Sequence, residues 1–89
     1  MTAILTDEVL QDDIAVSLAR VMAAANKRAG ELGVDVLQSI ITVSQLPMND
    51  EFLWRINYGP KDYVGRRGGD LILDVDLEEA HIQRELWGQ

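Results

Sequence analysis

Glu51-Phe52-Leu53-Trp54-Arg55-Ile56-Asn57-Tyr58-Gly59-Pro60 is the stretch on which the fold turns. Phe52, Trp54, Ile56 and Tyr58 alternate with Leu53, Arg55 and Asn57, a period of two that marks a strand. The aromatic and aliphatic stripe is the expected interior, with Trp54 its largest member. Gly59-Pro60 ends the run, because proline has no N–H to add to a ladder.

Downstream the same period returns. Leu71, Leu73, Val75 and Leu77 make one face, and Ile72, Asp74 and Asp76 the other. The acids read as the solvated face of a half-buried antiparallel strand. Leu77-Glu78-Glu79-Ala80 turns the chain. His81 to Trp87 then admits two readings, a returning fourth strand or a short helix with Ile82 and Leu86 four apart. Strand is the reading taken here.

Upstream, alternation from Val36 to Gln45 predicts a strand with apolar residues on both faces, as in the centre of a sheet. Leu46-Pro47-Met48-Asn49-Asp50 supplies the turn that follows. Before it, Leu10, Ile14, Leu18, Val21, Met22, Ala25, Ala29 and Leu32 trace one stripe at 3.6 residues per turn. Asp12 or Asp13 can act as N-cap, Thr6 followed by Asp7 and Glu8 offers an earlier start, and Gly33 ends the helix in a left-handed conformation. Alanines at 23–25 and 29 let a sheet approach closely.

The expected fold is therefore α+β, one N-terminal amphipathic helix on a three- to four-stranded antiparallel meander, αβββ(β), forming a single domain over residues 1–89. The connections are short and leave no room for crossover helices.

Glu51-Phe52-Leu53-Trp54-Arg55-Ile56 and Gly69-Asp70-Leu71-Ile72-Leu73-Asp74-Val75-Asp76 carry a likeness to known folds. At this order of elements the chain resembles PepSY-like and cystatin-like domains. PepSY modules often place tryptophan in a central strand and end a strand in aspartate before a turn. The resemblance implies a helix packed on a curved meander. The chain departs from it at Leu77-Glu78-Glu79-Ala80, where those modules usually place glycine.

Composition narrows the function. The 89 residues include 15 acidic and 8 basic side chains, a net charge of −7. That balance repels polyphosphate and anionic lipid, so neither nucleic acid nor membrane is expected as a partner. There is no cysteine and one histidine, His81. Thiolate catalysis, cysteine-bound zinc and a two-histidine metal site are excluded within one chain. No run approaches ~20 apolar residues, and the opening lacks the cationic and apolar regions of a signal peptide. A cytoplasmic location is the expectation.

Asp74, Asp76, Glu78 and Glu79 with His81 form the first chemical constellation, but strand alternation already explains these acids, and no glycine-centred calcium loop is present. Ser17, Ser39 and Ser44 stand in no nucleophile-elbow context. No catalytic residue, cofactor or metal is assigned.

The loop Gly59-Pro60-Lys61-Asp62-Tyr63-Val64-Gly65-Arg66-Arg67-Gly68-Gly69 is the segment that strand and core patterning do not require. It is longer than a usual hairpin connection and gathers three cations around glycines. Arginine forks grip carboxylates bidentately. Lys61, Tyr63, Arg66 and Arg67, with Trp87 near the terminus, are the candidate partner-binding residues. The functional expectation is a small acidic, non-enzymatic protein-binding module of inhibitor, immunity, adaptor or regulatory type. The alternative is a small-ligand-binding protein or minimal enzyme with a pocket between helix and curved sheet. Apolar residues on both sheet faces add the expectation of a homodimer.

Overall fold

The structure, a computed structural model, describes residues 7–48, 51–60 and 70–88. A short helix α1 (Asp7–Leu10) precedes the main helix α2 (Asp13–Glu31), and a 3-10 turn (Val36–Gln38) leads into the sheet. The strands are β1 (Ser39–Met48), β2 (Glu51–Pro60), β3 (Asp70–Asp76) and β4 (Ile82–Gly88). They form one antiparallel sheet in the order β1-β2-β3-β4, with α2 across one face. This is the expected α+β arrangement, and the C-terminal segment is a strand.

Capping fixes both ends of α2. The Asp12 side chain accepts from the Ala15 N–H at 3.0 Å, satisfying one of the free amides of the first turn. At the far end Gly33 adopts φ +88°. The Gly33 N–H donates to the Gly30 carbonyl and the Val34 N–H to the Ala29 carbonyl. That pair of bonds is a Schellman motif, which needs a left-handed residue where glycine stands.

Val21, Ala25 and Ala29 of α2 are fully buried against Trp54, Ile56 and Tyr58 of β2 and Leu71, Leu73 and Val75 of β3. The two alanines bring the helix backbone close enough for Tyr58 and Trp54 to lie beneath it. Each large side chain so buried contributes about 1.5–3 kcal/mol of hydrophobic stabilisation. The stripe is shorter than its periodicity predicts. Leu18 and Met22 flank the core, whereas Leu10 and Ile14 are exposed.

Polar contacts orient α2. Ser17 Oγ donates to the Leu77 carbonyl at 3.3 Å and Arg20 Nη2 to the Glu78 carbonyl at 3.2 Å, holding the first half over the β3–β4 turn. The Tyr58 hydroxyl donates to Asn26 Oδ1 at 2.6 Å, and Arg28 Nη2 to Glu85 Oε1 at 3.1 Å. The helix is thus tied to β2 and to the β3–β4 hairpin.

Several local expectations are corrected. Residues 36–38 form a 3-10 turn, and β1 extends instead from Ser39 through Pro47 to Met48. Proline is tolerated there because, among the described residues, β1 pairs on one side alone. The β1 segment was expected to read as central, and its position is peripheral. Phe52 was expected inside but is 55% exposed. It pairs with Pro47, one residue beyond Leu53, where β3 begins to pair with β2. Phe52 therefore projects past the covered part of the sheet. Ala80 closes the β3–β4 turn at φ +56°, the conformation glycine holds at least cost.

Candidate functional site

The end of the sheet at which β2 stops and β3 starts carries the first candidate surface. Asp70 pairs with Gly88 and Leu71 with Trp87. Ser39 pairs with Pro60 at the same end. The roots of the 61–69 connection, Pro60 and Asp70, therefore lie at the end of the sheet that bears Trp87. Trp87 is 56% exposed although its partner Leu71 is fully buried, because it sits on the outermost strand. Two residues back on the same face, Glu85 takes the Arg28 guanidinium through both carboxylate oxygens. The Glu85 carboxyl is held below its ordinary range by that hydrogen bonding, and the Arg28 guanidinium is raised in turn. Lys61, Tyr63, Arg66 and Arg67 lie outside the described residues. Of the five residues singled out in the sequence, Trp87 is the one whose surroundings the structure describes.

The face away from α2 holds a charged row that alternation did not reveal. Arg55, Asp74 and Arg84 are consecutive cross-strand neighbours on β2, β3 and β4. Arg55 donates through Nε to Asp74 Oδ1 at 2.8 Å and through Nη2 to Oδ2 at 3.0 Å. Arg84 donates to Asp74 Oδ2 from Nε at 3.1 Å and Nη2 at 2.9 Å. The Asp74 side chain is 1% exposed, so the acid expected on the wet surface is covered by its two partners. Those arginines hold its carboxyl below the ordinary range, Arg55 contributing most and desolvation opposing.

Asp76, Glu79 and His81 bring one potential ligand atom each within 4.8 Å of one another on the β3–β4 turn. Turn chemistry accounts for the first of them. Asp76 Oδ1 accepts from the Glu78 and Glu79 amides at 2.7 and 2.9 Å, and these bonds lower its pKa. His81 Nδ1 lies 3.3 Å from Glu79 Oε2, with both side chains largely in solvent.

The space between α2 and the sheet, where a ligand pocket was the alternative, is filled by Trp54, Ile56, Tyr58, Leu71, Leu73 and Val75. Trp54 Nε1, buried there, has no acceptor among the described residues. The Tyr58 hydroxyl is spent on Asn26, and burial pushes its pKa up to about 12.

The second candidate surface is the outer edge of β1. Among the described residues this strand pairs with β2 alone. It lies inside a fourteen-residue stretch, 36–49, that contains no ionisable side chain, in a chain that is 26% charged. Ile40 on one face is 46% exposed and Ile41 on the other 37%. The opposite edge, β4, carries Arg84 and Glu85 on its two faces, charges of the kind that protect an edge. β1 has no such guard.

No family model, curated protein or solved structure matches this chain. Among the described residues, no helix is long and apolar enough to cross a membrane.

Proposed function

We propose that this protein is a small acidic, non-enzymatic binding module that recognises another protein at the Trp87 end of its sheet, with the 61–69 loop as part of the contact. The observation that carries this reading is the exposure of Trp87 beside the loop roots, through the pairings Leu71–Trp87 and Asp70–Gly88. An exposed tryptophan on a strand paired with β3 offers a large apolar area with few side-chain rotations to lose, and tryptophan and arginine dominate binding hot spots. Arg66 and Arg67 favour a partner with surface carboxylates, which their planar forks engage in pairs. The packed interior between α2 and the sheet argues against a pocket-based activity. The PepSY-like and cystatin-like likeness adds only an arrangement of elements.

Affinity capture from the source cell, with quantitative mass spectrometry, tests the proposal. The unmodified chain is compared with Trp87→Ala and with Arg66→Ala/Arg67→Ala. A protein retained by the parent and lost with both variants is expected, with Trp87→Ala weakening binding by about 2 kcal/mol or more. Equal retention by all three chains overturns it.

A further inference from the structure

β1 presents a conflict between composition and position. Ser39-Ile40-Ile41-Thr42-Val43-Ser44-Gln45-Leu46 has β-branched or apolar residues on both faces and no charge, the character of a strand inside a sheet. The fold places it at the edge, with Ile40 and Ile41 in solvent. A long, uncharged edge strand is a template for pairing with another strand. Sequences that fold well agree across levels, and a second strand alongside β1 removes the disagreement.

We infer that β1 pairs antiparallel with β1 of a second copy of this chain, about a two-fold axis near Thr42 and Val43, making one eight-stranded sheet. One observation fixes where two copies can meet, and two favour a second copy as the occupant. First, each chain carries a net charge of −7, so two copies repel wherever charged surfaces meet. Residues 36–49 form a charge-free stretch across which that repulsion is weakest, since salt screens charges beyond about 8 Å. Second, a foreign partner selected by charge would need complementary groups on the edge, and β1 has none. Third, the strand matches itself. Antiparallel pairing with Thr42 on the axis sets Thr42 against its own copy and Ile41 against Val43, and β-branched cross-strand neighbours stabilise such pairs. Pro47 lacks an N–H and limits the ladder to the stretch before it, which is centred on Thr42 and Val43. A two-fold axis perpendicular to the sheet keeps both α2 helices on one side, where Ile41 and Val43 of the two copies form the floor between them. β1 lies across the sheet from Trp87 on β4, although Ser39 pairs with the loop root Pro60, and different substitutions test the two readings.

Sedimentation of the full chain over a micromolar concentration series tests the inference, with Thr42→Lys/Ser44→Lys on β1 and Gln83→Lys on β4. All three replaced side chains are exposed. The parent and Gln83→Lys are expected at twice 9.9 kDa, and the β1 variant at 9.9 kDa with its circular dichroism unchanged. A parent that stays at 9.9 kDa throughout overturns the proposal. So does a β1 variant that remains dimeric, or a dimer lost only with Gln83→Lys. If the lysine variant does not fold, hydrogen exchange on the parent decides. Amides of β1 turned away from β2 gain protection as concentration rises if the strands pair; unchanged exchange overturns the pairing.

Discussion

Arg55 and Asp74 stand directly opposite each other on β2 and β3, joined by two hydrogen bonds of 2.8 and 3.0 Å on the face that α2 does not cover. With Arg84 added from β4, one buried carboxylate holds three strands together where no helix does so. Both arginines keep contact with water, at 30% and 46% side-chain exposure, so the row is worth less than a fully buried cluster.

Asp74→Asn should destabilise the fold by roughly 1–3 kcal/mol at neutral pH, the range for stranding charged hydrogen-bond partners. The pH dependence follows from the direction of the shift. A carboxyl whose folded pKa lies below its unfolded value of 3.8 stabilises the protein above that pH. The contribution fades as pH falls through it toward the lower folded value. Urea denaturation of parent and variant should therefore differ most at neutral pH and converge in strong acid. A constant gap down to the acid limit would remove Asp74 from this role.

Tyr58 governs the alkaline side. Its pKa rises from 10.0 to about 12 because burial disfavours the phenolate. Stability from the neutral phenol is complete below pH 10.0 and is lost as pH climbs toward about 12. Two units correspond to roughly 2–3 kcal/mol. Tyrosinate absorbance should show one phenol titrating together with unfolding, and Tyr58→Phe should remove that coupling. A Tyr58 that ionises at its ordinary pH while the chain stays folded would contradict the burial.

Ala80→Gly should raise the melting temperature. A left-handed alanine costs roughly 1–2 kcal/mol, and the added freedom of glycine in the unfolded chain returns about 0.4–1 of that. A net gain of a few tenths to 1 kcal/mol remains. The φ of +56° is the basis for this, and a loss of stability would show that the half-buried Ala80 methyl matters more.

Ile56→Ala and Leu73→Ala should each cost about 2–5 kcal/mol, since both are fully buried opposite each other beneath α2. Phe52→Ala, on the same strand face as Ile56, should change stability by only about 0.5 kcal/mol. Chemical denaturation of the three variants checks where the helix cover ends. Equal losses at Phe52 and Ile56 would mean it reaches further than the structure places it.

That contrast shows what the sequence discloses and what it does not. Alternation in β2 assigned Phe52, Trp54, Ile56 and Tyr58 to one face correctly, and the α2 stripe identified Val21, Ala25 and Ala29 as its partners. Periodicity reports a face, however, and not how far a covering element extends along it. Phe52 at one boundary and Ile14 at another are apolar, in phase and exposed. Asp74 was hidden for a related reason. Its burial depends on Arg55 and Arg84 arriving in register from two other strands, and register is a property of three segments together. The caps were legible because Asp12 and Gly33 act within a few residues of themselves. The edge position of β1 was not, since its composition argued for the middle of a sheet. As for the candidate site, Trp87 could be picked out by its lack of a place in the core. Its neighbourhood with the loop roots required the Asp70–Gly88 pairing.

The strand order also sets a geometry for assembly. Trp87 lies on β4, as far across the sheet as the chain allows from β1. Eight strands spaced about 4.8 Å apart separate the two outer β4 strands of a β1-joined pair by roughly 34 Å. The two-fold axis also turns one Trp87 end toward the top of the sheet and the other toward the bottom. Such a pair would be bivalent, with two sites that point in opposite directions and could not close on one small target. It would instead bridge two targets, gaining avidity only on partners that are themselves clustered or repeated.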